Sequence, residues 1–314
     1  MIKKYLSNII LILKNKGLIK LLLSFFYFFL IEIYKKFFPK KFIKKRILKF
    51  KMFLNPFDKG ISRTLILFGE REIDHLVILR KILKKNMRIF DIGANIGYYI
   101  LLQRQFISKS SKIIAIEPLK DNVDLLNLNL ELNNEHNTIV LHGGVSNITG
   151  KKKFYKSEHS NLGTFNPLKA KSNKDFISIK TFKLTDLFNK YFYPDIIRMD
   201  VEGHEVEIFD NLTKSKLKKY PMICFETHLS KYQKNNKMNK NLNKLFQIGY
   251  KVKIASSSSE HGTKILEKLG YISDMPSIKT DDVKRKIFFN IKNKDAINLI
   301  CTQGGLRTIL LSKN

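Results

Sequence analysis

Apolar and polar positions between residues 88 and 142 change over in blocks. Short, mainly apolar segments at 88–92, 112–117 and 138–142 read as strands. The segments between them, 96–106 and 122–133, place apolar side chains at helical spacing, as at Val123, Leu126 and Leu130. Three strands parted by two helices in so short a span predict a parallel, doubly wound sheet, which binds ligands beyond the carboxyl ends of its strands. Runs at 195–199, 221–226, 251–255 and 307–312, with helices at 205–212 and 242–248, extend that sheet. One segment breaks the rhythm: the polar stretch 151–180 reads as an inserted hairpin, 153–155 against 177–180, around a loop at 158–174. A loop of that length in a compact domain is usually a lid or a recognition element. The expected architecture is α/β, a mostly parallel seven-stranded sheet flanked by helices, over residues 61–314.

Ahead of residue 61 the pattern is different. Residues 18–33 are helical and apolar, but the uninterrupted run 21–31 is bounded by Lys20 and Glu32 and falls short of the roughly 20 residues that a membrane span needs. The run at 9–13 is too short for a secretory core and is followed by Lys14, with no small-residue cleavage site. Residues 1–60 therefore read as an N-terminal helical extension that lies on a surface: an anionic membrane, the catalytic core or a second subunit.

Charge sharpens this. The 314 residues carry 58 Lys+Arg against 27 Asp+Glu, a net +31, and +13 of it falls in residues 1–54, where Glu32 is the only acid. The remaining 260 residues carry +18. Arginine supplies only 9 of the basic residues, so the excess is Lys-rich background and not the Arg-lined face of a nucleic-acid reader. The uneven part fits a cytoplasmic protein peripheral on the inner face of the membrane through residues 1–54. A hydrophobic content of 44% excludes wholesale disorder, and two cysteines, Cys224 and Cys301, in apolar runs suit buried free thiols in a reducing compartment.

Candidate chemistry gathers at the strand ends. Asp91-Ile92-Gly93-Ala94-Asn95-Ile96-Gly97 closes the first strand and opens the first helix, where glycines admit a ligand and a helix N-terminus offers N–H groups and positive charge. Ala94 and Asn95 break the dinucleotide fingerprint, and no Gly-Lys-Ser/Thr follows for a P-loop. Asp91 suits a ligand with a cationic amino-acid end, while Glu117-Pro118, closing the second strand, can take the hydroxyls of a ribose. The pair suggests adenosine without a pyrophosphate. Arg198-Met199-Asp200-Val201-Glu202-Gly203-His204-Glu205 and Phe225-Glu226-Thr227-His228 bring further acids and histidines to the same rim, a crowding that is costly unless the groups are paired or used.

These segments, with Tyr98 and Tyr99 after the first loop, resemble the successive motifs of the FkbM family of class I S-adenosylmethionine-dependent methyltransferases. The resemblance spans about residues 65–230, and it implies a Rossmann-like fold and S-adenosyl-L-methionine as cofactor. It further implies that Asp91, Gly93, Asn95 and Gly97 hold the methionine end, Glu117 the ribose, and Pro118 with the turn at 143–146 the adenine. Ala94, Tyr98, Gly144, Val145 and Asp200 complete the expected cofactor set. Gly143-Gly144-Val145 stands where the family more often has Ala-rich residues.

The resemblance also implies O-methylation, often of a sugar or natural-product hydroxyl. An alcohol needs somewhere to send its proton, and His204, then His228, with Asp200 to orient and Glu226 beside them, are the candidates. Nothing in their spacing requires a metal, although Asp200, Glu202 and Glu226 are hard oxygen ligands. A nicotinamide oxidoreductase would need the missing fingerprint. An RNA or other nucleic-acid methyltransferase would use the basic surface, but the fourth strand ends in Asp-Val-Glu-Gly and neither cysteine has a catalytic context, so nucleic acid is the less favoured partner. A noncatalytic scaffold would have little use for a full cofactor loop.

Overall fold

The computed structural model describes residues 2–38, 42–155, 163–165, 176–232 and 237–313. Helix α1, Ile2–Phe37, is broken at Gly17 and leads to a hairpin, β1 Ile43–Ile47 and β2 Phe50–Leu54, then to α2 Ile61–Phe68 and α3 Ile73–Ile82. Strands β3 Ile89–Ile92, β4 Ile113–Glu117 and β5 Thr138–His142 alternate with α4 Tyr98–Gln103 and α5 Lys120–Leu132. Next come β6 Gly144–Val145, β7 Gly150–Tyr155 and β8 Phe176–Phe182, which form a small sheet of their own. The chain continues through α6 Leu184–Lys190, β9 Ile196–Met199, α7 Glu205–Lys214, β10 Met222–Glu226, α8 Leu229–Tyr232 and α9 Lys237–Gln247. It ends with β11 Lys251–Ser257, α10 Glu260–Lys268, β12 Ile278–Thr280, β13 Val283–Arg285, β14 Ile287–Ile291, α11 Asn293–Cys301 and β15 Leu306–Ser312.

The central sheet runs β14-β11-β15-β10-β9-β3-β4-β5. Neighbours from β10 to β5 are parallel, and the pairs from β10 outward to β14 are antiparallel. Every residue of β3, β4 and β9 is buried, because helices cover both faces and an alternating pattern would expose half of each strand. Phe90, Ile92, Ile114, Ile116, Ile197 and Met199 pack under α6, α7, α9 and α11. Ile89, Ile113, Ala115 and Ile196 pack on the other face, under α2 to α5 and the β1–β2 hairpin.

Three expectations change. Among the described residues the sheet has eight strands and not seven: β14 adds an outer antiparallel strand, and its apolar run is cut short by Asn290 at φ 51°. Residues 43–54 are not helical but a hairpin seated in the core, with Ile47, Met52 and Leu54 fully buried. Asn129 Oδ1 accepts from Phe53 N at 2.6 Å and Asn133 Nδ2 donates to Lys51 O at 2.7 Å, so α5 side chains close the free edge of β2. Finally, the 11-residue run understates α1. Its 21-residue stretch Gly17–Phe37, mean hydropathy 1.8, is long and apolar enough to cross a membrane, since Lys20 and Glu32 sit within a helix that stays apolar around them. Among its described side chains only Leu21, Ser24 and Ile31 are buried, while Ile19, Leu22, Phe26 and Phe29 stand in solvent.

Candidate functional site

Parallel register brings the carboxyl ends of β10, β9, β3 and β4 to one edge, where a cleft of about 780 Å³, solvent at its mouth included, opens. Gly93, Ala94, Asn95, Tyr98, Glu117, Pro118, Gly144, Val145, Asp200 and His204, all expected from the sequence, line it. Asp91, Gly97, Glu226 and His228 are not on its wall and stand behind it. Arg71 and Phe154, which the sequence did not single out, also line the cleft, as do Tyr99 and Arg198, to which it gave no role. Of the loop at 158–174, Gly163 to Phe165 are described and the rest lies outside the described residues. Phe165 lies on the cleft with its ring 4.6 Å from that of His204.

Arg198 was hidden in the quoted Arg-Met-Asp run. It pairs in register with Asp91 across β9 and β3, is 1% exposed, and its Nη1 lies 3.3 Å from Asp91 Oδ1 and 3.2 Å from Gly93 O. Its Nη2 reaches Asp200 Oδ2 at 3.4 Å, and the guanidinium stacks 3.8 Å from the Tyr99 ring centre. Burial would discharge this arginine, but Asp91 and Asp200 overcome it and raise its pKa. Burial raises the pKa of Asp91, offset in part by Arg198 and by a hydrogen bond from Gln103. Asp91 is thus engaged by the protein itself and acts on the cleft through Arg198. A charged arginine in a wholly apolar strand was the available signal; its partner follows only from register.

The Gly loop contributes space more than donors. Gly93 N and Ala94 N donate to Ile116 O, Asn95 N to Glu117 Oε2, Ile96 N to Asn95 Oδ1 and Gly97 N to Ala94 O. At Gly93, φ +79°, a Cβ would come 2.1 Å from the backbone oxygen of Asp200. Glu117, besides Asn95 N, accepts from Leu119 N and Asn122 Nδ2 at 3.0 Å each. A carboxylate has about four acceptor positions, so one remains for a ligand hydroxyl where the sequence suggested two. Burial pushes its pKa up to about 7, against those three hydrogen bonds.

Behind Asp200, His228 sits among four carboxylates. Its Nδ1 is 3.1 Å from Glu205 Oε1, and its Nε2 is 3.3 Å from Glu226 Oε1, 3.6 Å from Asp200 Oδ1 and 3.7 Å from Glu202 Oε2. Burial would strip the ring of its proton, but Glu205 and Glu226 raise its pKa well above the ordinary histidine value. In this state His228 holds a proton and is not poised to take one. Glu226, also paired with Arg307, is pushed up to about 7 by burial and by the charge of Asp200. His204 is the opposite case: burial and then Lys152 lower its pKa to about 3, and its Nε2 meets Ser146 Oγ at 3.2 Å. It is a neutral imidazole on the cleft wall.

Comparison with known proteins agrees with this geometry. The methyltransferase FkbM domain matches residues 91–272, more than half of the chain and all the strand ends just described. The chain belongs to the FkbM methyltransferase family. Its cofactor is S-adenosyl-L-methionine. The chain is 26% identical over 162 residues to the hexuronic acid methyltransferase AglP of Haloferax volcanii, a match covering 51% of this chain and 63% of that protein, less than two thirds of its length. Among solved structures it is similar to an FkbM methyltransferase from Methylobacillus flagellatus (14% identity, TM-score 0.33, 73% of this chain and 54% of that one). It is also similar to an S-adenosylmethionine-dependent O-methyltransferase from Thermotoga maritima (13% identity, TM-score 0.37, 77% and 65%). The chain's own residues fit that cofactor in one respect: Glu117, on the cleft wall, keeps an acceptor position for a hydroxyl.

Proposed function

We propose that this FkbM methyltransferase methylates a hydroxyl of a sugar, glycan or similar small acceptor. The cofactor would lie between residues 93–97 and 143–146, and the acceptor against Asp200 and His204. S-adenosylmethionine supplies a methyl group activated on a sulfonium; the rest falls to the protein. The observation that carries the reading is the polar wall Asp200, Glu202 and His204, which stands on the same cleft as Glu117 and the Gly loop. Arg198 orients Asp200, which in turn orients the acceptor hydroxyl near attack distance. The acceptor's proton has carboxylates behind Asp200 to receive it, and the His204 ring, backed by Phe165, shapes the acceptor side. A sugar acceptor is favoured by the hexuronic acid substrate in the name of the distant relative.

Residues 61–314 are the catalytic unit in this reading, with the 43–54 hairpin packed on it, and α1 brings it to the inner face of an anionic membrane as a cytoplasmic protein. The exposed apolar side chains of α1 and Lys35, Lys36 and Lys44 beside them support that placement.

The test is transfer from labelled S-adenosylmethionine to uronic-acid glycans, neutral glycans and RNA. Label on a glycan that survives mild alkali is the expected result, because a methyl ether resists base and a carboxyl methyl ester does not. Label confined to RNA, or lost in alkali, overturns the hydroxyl reading. His204→Asn should lower turnover by more than about tenfold; a smaller loss removes His204 from the acceptor site.

A further inference from the structure

One cluster is only partly used by that reading. Donor atoms of Asp200, Glu226 and His228 lie within 4.8 Å of one another. The His228 side chain is 8% exposed, and among the described residues its buried Nε2 and the buried Asp200 Oδ1 have ion-pair contacts but no well-directed hydrogen bond. Buried polar atoms left in this way are rare and need an explanation.

The surroundings supply one. Glu205 Oε1 meets His228 Nδ1 at 3.1 Å, and Glu205 is itself fixed by Tyr232 Oη at 3.0 Å and Val201 N at 3.2 Å. A cation entering here displaces the Nε2 proton to solvent, and a histidine that keeps its Nδ1 proton on a carboxylate then presents Nε2 as a lone pair, the arrangement behind most metal-bound imidazoles. Donors each about 2.0–2.2 Å from one ion stand about 2.9–3.6 Å apart at octahedral to tetrahedral angles. Nε2 lies 3.3 Å from Glu226 Oε1 and 3.6 Å from Asp200 Oδ1. Glu202 Oε2, 3.7 Å from the same nitrogen, adds negative charge.

We propose that Asp200, Glu226 and His228 form a site for one divalent first-row cation, with its open positions toward the cleft that Asp200 lines. One imidazole with two carboxylates suits an ion of the Mn²⁺ kind better than Mg²⁺ or Ca²⁺, which prefer oxygen throughout. Binding of the ion stands on geometry alone; its role rests on the methyl-transfer reading, in which it holds the acceptor hydroxyl and makes it easier to deprotonate.

The test is Mn²⁺ titration of chelator-treated full-length protein, followed by electron paramagnetic resonance of free Mn²⁺, with S-adenosylhomocysteine binding measured in parallel. One Mn²⁺ per chain is expected, with at least tenfold weaker binding in both Glu226→Gln and His228→Asn variants whose circular dichroism is unchanged. No retained Mn²⁺ in the wild type, or equal affinity in both variants, overturns the site and leaves a buried imidazolium in its place. Should Mn²⁺ fail while S-adenosylhomocysteine binds, the metal alone falls. Should the reverse occur, the metal site stands and the cofactor cleft falls.

Discussion

Glu117 shows how burial and neighbours set what one side chain can offer. Its position after the second strand suggests a ribose carboxylate, and three of its acceptor positions are filled by Asn95, Leu119 and Asn122. Burial holds its pKa near 7. A group whose pKa is raised on folding takes up protons in the native state, so its contribution to stability falls as pH rises from about 4.5 to about 7. Hydroxyl donors reverse that preference because they need the carboxylate. S-adenosylhomocysteine affinity, measured by calorimetry, should therefore improve up to about tenfold between pH 6 and pH 8, and the Glu117→Gln variant should bind more weakly with a flat profile. A wild-type profile as flat as the variant's would remove Glu117 from the ribose. At this scale the sequence displayed the acids and histidines but not their charge states. Burial and the neighbouring carboxylates decide that His204 is neutral and His228 protonated, and those neighbours come from different strands.

Among the elements, the Gly loop and α1 are the instructive pair. Gly93 is required twice, by φ +79° and by the Asp200 carbonyl that its missing side chain admits. Gly93→Ala should cost about 2–5 kcal/mol in chemical denaturation, combining left-handed strain with overpacking against backbone. Gly69→Ala, at φ +73° with nothing within 4 Å, should cost only about 1–2 kcal/mol. Equal losses would show that strain alone matters. The strands β3, β4, β9 and β10 were legible because burial on both faces leaves short segments that are apolar but for one acidic or basic residue each. The β1–β2 hairpin was not, because β1 reads Ile-Lys-Lys-Arg-Ile and its exposed positions carry part of the basic excess of residues 1–54. The strand β14 was lost to the left-handed Asn290.

For the whole molecule the division falls after α1. Removing residues 2–38 leaves the hairpin and its buried Ile47, Met52 and Leu54 in place, whereas a cut after residue 54 would open the core. The shortened chain should keep its stabilisation by S-adenosylhomocysteine and lose sedimentation with anionic vesicles, which the full chain should show. Equal sedimentation of the two forms would make the charge of the N-terminal segment compositional. By itself the sequence determined the doubly wound class, the strand ends that bear the chemistry, and the FkbM relationship, because apolar periodicity and contiguous motifs are local properties of a chain. Only the tertiary structure decided that Asp91 is spent on Arg198, that His228 sits within four carboxylates, and that Ile19, Leu22, Phe26 and Phe29 of α1 face outward. Each depends on register, burial and the fields of groups remote in sequence, which become defined only when the sheet is assembled.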